Sequence, residues 1–473
     1  MKISGSNISE KGTCIESHMD KFLIENRQEG CTRCMVISEK HTNVLQYKET
    51  YCSQQNKNRN KSLNYVCAEI NGDAPLFSLF KLNTDPVKCP FEGPYKFTYN
   101  NGYGECRDPV STIESCTDDA HMVFNFKACA DVKGSESRVE KLECFANWRD
   151  GHVWYLVGKL YHSSAKTDED RFRCFVFERP NDTSLAIAQS GFATCDGLLS
   201  VAEGSRTMKV TKSSSPPPPC QFPSWLTSHH HWKTLDGQHV YDFTGNSTFR
   251  VFNFSYDGKL LRSVSCVRRE VKTEAFSELI VHSTFGCKSG LVCMRIYKRS
   301  NHTVEIQLGE IEQQESDACT HLKASSNYLT LTTLIPEIKD CPIDGIYAVN
   351  VPDGKAILEA ILKGPTSAKI ISVCSEQSYL YSRCDKKDRM QLRSGCNPDT
   401  SRNFNCHGGW EENGTSYLIV SSIEDELQCC LIYTEKDNRV LSMTLSSTNC
   451  KRHHSKESSN HIRLGKHRKL PLR

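Results

Sequence analysis

The segment CMVISEKHTNVL, Cys34–Leu45, recurs in three related forms along the chain: CFVFERPNDTSL from Cys174, CMRIYKRSNHTV from Cys293 and CCLIYTEKDNRV from Cys429. In each copy the first, third and eleventh residues after the cysteine are mostly apolar, whereas the middle is polar and rich in Asn, Asp and Lys. Alternation with period two on both sides of a polar turn is typical of a β-hairpin with one buried face. The four copies therefore predict four related β units.

The cysteines around these hairpins recur as well. Each hairpin is followed by one cysteine and preceded by a pair, and the second and fourth copies share a C-x9-C and a C-x3-W. The third copy lacks the counterparts of both Cys116 and Cys144, which predicts that these two bond to each other. The predicted bridges are Cys14–Cys31, Cys34–Cys52, Cys106–Cys129, Cys116–Cys144, Cys174–Cys195, Cys266–Cys287, Cys293–Cys319, Cys374–Cys396, Cys384–Cys406 and Cys429–Cys450. The remaining cysteines are Cys67, Cys89, Cys220, Cys341 and Cys430, and Cys430 is interpreted as a buried thiol.

A C-x-x-C at Cys31 and Cys34 has the spacing of zinc ribbons and redox sites. The gap between the same two positions is six residues in the third copy and 45 in the second. Cys31 and Cys34 are therefore assigned to two structural positions that a short loop brings together. Disulfides are the favoured interpretation, and zinc or redox chemistry is the alternative.

The compartment is predicted from cysteines and glycosylation sequons. The chain of 473 residues contains 25 cysteines, a content typical of oxidising compartments. Seven N-x-S/T sequons point the same way; they lie at Asn7, Asn60, Asn181, Asn246, Asn253, Asn301 and Asn413. The first residues, MKISGSNISEKGTC, lack the apolar core of a signal peptide, so we expect a truncated or alternative product of an extracellular or cell-surface protein. A cytosolic cysteine-rich zinc protein is the alternative.

Domain boundaries follow from repeated openings, CPFEGPYKFTY at Cys89, CQFPSWLTSHHHW at Cys220 and CPIDGIYAVNV at Cys341. Helical periodicity is scarce, so the predicted fold class is all-β, four tandem disulfide-rich units built as barrels or sandwiches, with lipocalin-like barrels among the options. The predicted parts are a first domain over 1–84 that lacks its opening strand, a second over 86–212, a Ser/Pro linker over 213–219, a third over 220–336, a fourth over 341–450 and a basic disordered tail over 451–473.

Charge is distributed unevenly. The net charge is +3, but the tail from Lys451 holds eight basic residues and one acidic residue, so the remainder is slightly acidic. The folded part thus shows no basic footprint for nucleic acid. The tail could contact polyanions or acidic lipid headgroups, or could be a solvated end.

Candidate chemistry is sparse. Consecutive histidines His229, His230 and His231 alternate between the faces of a strand, and no ligand spacing completes a metal site, so a polar turn before a core Trp232 is preferred. Asp118, Asp119 and His121 are read as a turn between strands rather than an acid/base pair. Trp148 and Trp410 could be exposed binding aromatics, but core positions are favoured. We assign no catalytic residue, no metal ligand and no cofactor, because no nucleophile, zinc or phosphate-binding motif occurs.

Three long stretches carry a resemblance: CPFEGPYKFTYNNGYGECRDPVSTIESCTDD over 89–119, CQFPSWLTSHHHWKTLDG over 220–237, and KGTCIES with CTRCMVISEKHTNVLQYKE over 11–49. They resemble a family of arthropod secreted or cell-surface proteins built from four tandem cysteine-rich domains of unestablished function. The resemblance extends to about Cys450. It implies that family members begin with a signal peptide and often end near a membrane anchor. We expect this sequence to start inside the first domain and to finish in a basic tail instead.

The sequence therefore predicts a non-enzymatic extracellular protein for recognition, adhesion or receptor-like binding of an unidentified protein or glycan. A carrier of small apolar ligands inside lipocalin-like barrels is the second hypothesis, which a large apolar cavity would favour. An enzyme is the third.

Overall fold

The computed structural model describes residues 1–54, 62–162, 165–213, 218–254, 258–312, 314–315, 318–320, 322, 328–350, 378–393, 401–424, 427–436, 439–452 and 461–466. The chain forms two compact units, residues 1–215 and 216–473. Within the described residues every sheet is antiparallel and the helices are single turns, so the predicted all-β, helix-poor fold is confirmed. No helix in this part of the chain has the length and apolar character needed to span a membrane.

The first domain is an eight-stranded open sheet. Its faces are covered separately: Ile24 and Met35 belong to one apolar cluster, and Leu23 and Cys34 pack against a helical turn on the other side. Its elements are β1 (Ile3–Ser4), β2 (Asn7–Ile8), β3 (Gly12–His18), β4 (Lys21–Asn26), β5 (Cys31–His41), β6 (Val44–Glu49), β7 (Ser53–Gln54), α1 (Leu63–Cys67) and β8 (Phe77–Phe80).

The second domain is a closed barrel of eight strands in up-and-down order, the connectivity that lipocalins also have. Tyr95, Phe97 and Tyr99 alternate inward with outward polar residues, as period-two patterning requires. Its elements are β9 (Tyr95–Asn100), β10 (Glu105–Ser115), β11 (His121–Phe126), β12 (Arg138–Asp150), β13 (Val153–Tyr161), α2 (Asp168–Arg171), β14 (Phe172–Asn181), β15 (Ser184–Gln189) and β16 (Arg206–Lys212).

The third and fourth domains are also closed eight-stranded barrels. The third contains α3 (Ser224–Thr227), β17 (His231–Thr234), β18 (His239–Asp242), β19 (Thr248–Asn253), β20 (Leu260–Lys272), β21 (Phe276–Phe285), β22 (Lys288–Lys298), β23 (Thr303–Leu308) and β24 (Leu329–Thr333). The fourth contains β25 (Gly345–Asn350), β26 (Ser378–Ser382), β27 (Arg389–Arg393), β28 (Ser401–Glu412), β29 (Thr415–Ser422), β30 (Gln428–Lys436), β31 (Arg439–Ser446) and β32 (His461–Lys466).

All four predicted hairpins are present, as β5–β6, β14–β15, β22–β23 and β30–β31. Phe175 and Phe177 of β14 face the core of the second barrel, whereas Cys174 and Val176 face outward into a separate cluster. The repeated segments are therefore the hairpins that build each sheet.

Three predicted disulfides occur in the structure: Cys106–Cys129, Cys174–Cys195 and Cys293–Cys319. Cys31 and Cys34 hold different bridges, to Cys52 and Cys67, which fits their assignment to two structural positions. The predicted Cys14–Cys31 and Cys34–Cys52 bridges are consequently wrong. Cys14 has a free thiol.

The bridges predicted for Cys144, Cys266 and Cys406 are wrong for one shared reason. Each of these cysteines lies on the fourth strand of its barrel and bonds to the cysteine that opens the domain. The observed pairs are Cys89–Cys144, Cys220–Cys266 and Cys341–Cys406, in place of Cys116–Cys144, Cys266–Cys287 and Cys384–Cys406. Cys116 and Cys287 are disulfide-bonded, and Cys384 has an exposed free thiol.

A one-residue shift explains the last incorrect pair. Cys450 bonds to Cys430, not to Cys429, and Cys430 is therefore no free thiol. Cys430 lies in an outer cluster with Ile432, whereas Cys429 and Leu431 face the barrel core. Neighbouring strand residues point to opposite faces, so aligning Cys429 with Cys174 placed the bridge on the wrong side. Cys374 and Cys396 lie outside the described residues.

The expectation of a disordered tail from residue 451 is wrong for two parts of it. Arg452 forms an ion pair with Glu412 at 2.7 Å and also pairs with the fully buried Glu305 of the third barrel. His461–Lys466 forms β32, which pairs with β25 and β31 and closes the fourth barrel. The barrel therefore extends beyond the predicted boundary at Cys450. Most of the predicted linker, residues 214–217, lies outside the described residues.

Candidate binding site at the upper mouth of the second barrel

The two ends of the second barrel differ in their connections. We call the upper mouth the end where β9, β11, β13 and β15 finish and their following strands begin. The turns at the opposite end after β12 and β14 are two residues long, whereas the connection from β15 to β16 at the upper mouth spans 190–205. Long loops on a rigid sheet are where binding residues concentrate. The upper mouth is thus the end of the barrel better suited to a binding site.

Charged side chains occupy the inward positions of the strands at this mouth. Glu140 of β12 has the same alternation as the core residue Leu142, and Arg206 of β16 the same as Met208. The Arg206 Nη1 group donates to Glu140 Oε2 at 3.1 Å and to Gln189 Oε1 at 3.3 Å. Arg138 Nε lies 2.9 Å from Glu140 Oε1. One carboxylate therefore lies between two guanidinium groups.

The Glu140 carboxylate is deeply buried, with its side chain 4% exposed. Burial raises the pKa of Glu140 above its ordinary value, and the nearby Arg138 and Arg173 oppose that shift. Below the carboxylate lies the Phe126 ring, with the Arg206 guanidinium 4.3 Å from its centroid. Charge and aromatic surface meet here at the top of the apolar core.

Beneath the mouth the barrel interior is filled with aromatic rings. The Phe97 ring packs edge-on against Phe126 at 5.1 Å and Phe124 at 6.2 Å between centroids. Tyr99 contacts Phe126 at 5.1 Å, and its hydroxyl donates to the Lys127 carbonyl. Rings packed in this way occupy the space that a lipocalin uses for an apolar ligand.

Arg173 begins β14 at the same mouth and is half-buried. Its Nη1 donates to the Phe172 carbonyl at 2.7 Å, and burial lowers its pKa. Among the residues that the structure describes, no carboxylate lies within ion-pair distance of this guanidinium. Burial lowers the pKa of the nearby His162, and the charges of Arg138 and Arg173 lower it further.

Exposed apolar side chains lie on two loops that begin at the mouth. Tyr103, on the loop between β9 and β10, is 71% exposed, and Phe192, at the start of the loop between β15 and β16, is 80% exposed. The same loop then descends along the outer wall, where the Leu198 carbonyl accepts from the Tyr155 hydroxyl, so the exposed Leu199 lies away from the mouth. Large exposed apolar side chains such as Tyr103 and Phe192 mark a surface suited to a partner.

The third and fourth barrels place an arginine at the position that Glu140 occupies in the second, four residues before the fourth-strand cysteine. Arg262 Nη1 donates to Ser283 Oγ at 3.1 Å. Arg402 Nε donates to Ser422 Oγ at 2.9 Å, and that hydroxyl donates to Glu424 Oε2 at 3.0 Å. An inward charge at this level recurs in all three barrels, but its sign differs.

The residues singled out from the sequence lie elsewhere. His229 packs edge-on against the buried Trp232, and His231 lies 3.6 Å from Asp242 on the surface. His230 has a positive φ of 56° in the turn before β17. The three side chains thus have separate surroundings.

Asp118, Asp119 and His121 lie at the lower end of the second barrel. Asp118 Oδ1 accepts from the Ala120 amide at 2.9 Å, as in a tight turn, and His121 Nε2 lies 3.3 Å from Glu143. The turn interpretation fits these contacts. Asp119 lies 3.8 Å from Lys88 on the surface.

The two tryptophans pack on the outer faces of the second and fourth barrels. Trp148 stacks on Tyr155 at 5.3 Å, and Trp410 on Tyr417 at 5.1 Å. The first pair belongs to a cluster that includes Val44 of the first domain, and the second to a cluster with Leu235 of the third. In each unit the barrel packs against the domain that precedes it.

The predicted glycosylation sites are mostly accessible. Exposed asparagines are found at Asn7, Asn181, Asn246, Asn301 and Asn413. Asn253 is half-buried, and Asn60 lies outside the described residues. Glycosylation stays a prediction.

Sequence reasoning missed Glu140, Arg173 and Arg206. The available signal was a charged residue at an inward position of an otherwise alternating strand, as in RVEKLECF over 138–145. Inward charges of this kind are uncommon because burying a charge is costly unless it is paired.

Comparison with known families divides the chain into the same regions. Residues 85–212 and 337–466 both match a family described as Domain of unknown function (DUF7042). Residues 1–71 match Domain of unknown function (DUF7044), and residues 216–331 match Domain of unknown function (DUF7043). No curated protein matches the chain. Tandem domains of unknown function are what the sequence resemblance implied, and the second and fourth barrels are two copies of one domain.

Proposed function

Because this chain belongs to the family defined by the DUF7042 domain, whose two copies make up more than half of it, we propose that it is a non-enzymatic extracellular protein that recognises a partner through the upper mouth of its second barrel. The observation that carries the proposal is the pair of exposed aromatic side chains, Tyr103 and Phe192, on loops that begin at a charged mouth. Aromatic anchors next to arginines are the side chains that dominate recognition surfaces.

The disulfides support the extracellular part of the proposal. Bridges join all four domains internally, with sequence separations between 20 and 65 residues. Bridges of this number form and persist in oxidising compartments. They also hold each loop-bearing strand in place, so a partner meets a preorganised rim.

A carrier of apolar ligands is the weaker candidate for the second barrel. Its interior is filled by the packed rings of Phe97, Tyr99, Phe124 and Phe126, and its mouth is crossed by the Glu140–Arg206 ion pair. A ligand would have to displace both. Recognition at the surface needs no such displacement.

The test compares two variants of the full chain, secreted behind an added signal peptide and fused to a reporter. The rim variant carries Tyr103→Ser and Phe192→Ser. The control carries Ile335→Ser, which alters an equally exposed apolar side chain outside the mouth. We expect saturable binding of the wild type to intact cells, a loss of about ten-fold or more in affinity for the rim variant, and no change for the control.

Two results would contradict the proposal. One is the absence of saturable cell binding by the wild type, and the other is equal binding by the rim variant. Release of a stoichiometric apolar ligand on denaturation, detected by mass spectrometry, would favour the carrier instead.

A further inference from the structure

Three arginines lie near one deeply buried carboxylate at the upper mouth of the second barrel. Glu140 pairs with Arg138 and with Arg206, at 2.9 and 3.1 Å, and Arg173 is the third. The nearby Asp170 carboxylate is held at the start of α2, where it accepts from the backbone amides of Thr167 and Lys166 at 2.9 and 3.2 Å. In the described part of the chain Arg173 therefore has carboxylates nearby but none in ion-pair contact.

A half-buried guanidinium in this condition is costly. Arginine stays protonated and carries five N–H donors, of which the described contacts use one, to the Phe172 carbonyl. Burial lowers the pKa of Arg173 and outweighs Glu140 and Asp170, which lie close enough to raise it. Desolvating a charge is costly unless an opposite charge contacts it, and in the described residues no carboxylate contacts Arg173. An anion next to Arg173 would supply that contact.

The surroundings of Arg173 suit a small anion. Arg138 and Arg206 lie on the same mouth and are already fixed, Arg206 by Glu140, Gln189 and Asn101 Oδ1 at 3.1 Å. Fixed donors lose little conformational entropy on binding, which favours affinity.

The fourth barrel provides an internal contrast. Its counterpart of Arg173 is Cys429, because Cys430 is the residue that aligns with Cys174 through the shared hairpin bridge. Its inward Arg402 reaches Glu424 through Ser422. The second barrel thus has a guanidinium beside the hairpin cysteine, and the fourth barrel, the other copy of this domain, does not.

We propose that the upper mouth of the second barrel binds an anionic group, a sulfate, phosphate or carboxylate, through Arg173 with Arg138 and Arg206 alongside. This rests on the proposed function, since it names the chemistry recognised at the same mouth. Planar guanidinium groups bind such oxyanions through paired hydrogen bonds. The partner would then present this group, as a sulfated or phosphorylated chain end or an acidic sugar or side chain.

The experiment titrates the full chain, secreted behind an added signal peptide, with inorganic sulfate, inorganic phosphate and acetate at one ionic strength set by sodium chloride. Thermal stability and titration calorimetry report binding, because a ligand of the folded state raises the melting temperature. The variant is Arg173→Gln. The matched control is Arg179→Gln, which lies on the same strand at the opposite end of the barrel.

We expect saturable binding of at least one anion, with Kd raised about ten-fold or more in Arg173→Gln and unchanged in Arg179→Gln. The strongest of the three probes identifies the chemical source. Arg173→Lys keeps the charge but loses the planar fork, so we expect an intermediate Kd, and this variant serves if Arg173→Gln does not fold.

The inference is overturned if no probe binds saturably, or if Arg179→Gln and Arg173→Gln weaken binding equally. Cell binding that depends on Phe192 without any anion binding would leave the proposed recognition standing and remove this inference. Anion binding at Arg173 without saturable cell binding would support this inference and contradict the proposed recognition of a cell-surface partner.

Discussion

The second and fourth barrels are copies of one domain, yet the same inward position at their mouths carries charges of opposite sign. Both have the bridge from the opening cysteine to the fourth strand, Cys89–Cys144 and Cys341–Cys406. At the inward position four residues earlier, the second barrel has Glu140 and the fourth has Arg402. The comparison shows that the fold fixes where a buried charge lies, while its sign varies between copies.

The outer face, in contrast, is used in the same way in both copies. The stacked pairs Trp148–Tyr155 and Trp410–Tyr417 have interplanar angles of 9° and 12°. Phe80 of the first domain stacks on Phe172 of the second barrel at 4.9 Å, and Leu235 of the third domain packs in the cluster around Tyr417. In both copies the outer face of the barrel packs against the preceding domain, whereas the charged residue at the mouth differs between the copies.

The largest expected effect concerns the shared bridge. Cys89→Ser with Cys144→Ser, and Cys341→Ser with Cys406→Ser, should each destabilise their barrel by about 2–5 kcal/mol, because each frees a long loop of the unfolded chain. The loops differ little in length, so the two losses should be similar. Calorimetry, with hydrogen exchange to assign the barrel, measures them.

The control for this comparison is Cys384→Ser. Its thiol is exposed and holds no disulfide, so stability should change by less than about 0.5 kcal/mol. A large loss in only one of the two barrels would show that the bridge has different roles in the two copies.

The next largest effect is a difference in stability loss between arginine substitutions at the two mouths. Arg206→Met should cost about 3 kcal/mol, because it removes one of the two guanidinium partners of a Glu140 whose side chain is 4% exposed, and leaves Arg138 alone. Arg402→Met should cost about 1 kcal/mol, since Glu424 lies in solvent and stays hydrated when Arg402 is lost. Urea unfolding of both variants tests the difference. Equal losses would mean that burial of the carboxylate does not decide the cost.

The smallest effect is a pH dependence confined to the fourth barrel. Partial burial raises the pKa of Glu424, but hydrogen bonds from the Asn403 amide and side chain, each at 3.0 Å, and from Ser422 hold the pKa below its ordinary value. A lowered carboxyl pKa contributes stability above the unfolded pKa, near 4.5, which is lost as the pH falls through the folded pKa.

Glu424→Gln should therefore be less stable than the wild type near pH 6, by less than about 1 kcal/mol for so exposed a group. The two proteins should converge as the pH is lowered toward 3. Parallel unfolding curves across this range would contradict the assignment.

Sequence patterning predicted the all-β fold and the hairpins because alternation is local: Phe175 and Phe177 are two residues apart on one strand. The Cys89–Cys144 bridge was missed because 55 residues separate its cysteines and only the closed barrel brings them together. Cys429 was mistaken for Cys430 because a single-residue shift is invisible where two cysteines are adjacent. Arg173 was missed because a charge beside Cys174 gives no sign of facing inward until the barrel closes.

The Cys220–Cys266 bridge also has a mechanical consequence. A force pulling on the chain would pass from the opening of the third domain directly into β20 through a covalent bond. The segment between the two cysteines contains β17, β18 and β19 and no further cysteine, so these strands lie outside the covalent path of that load. The third domain can thus transmit tension along the chain through its bridge while its first three strands are bypassed.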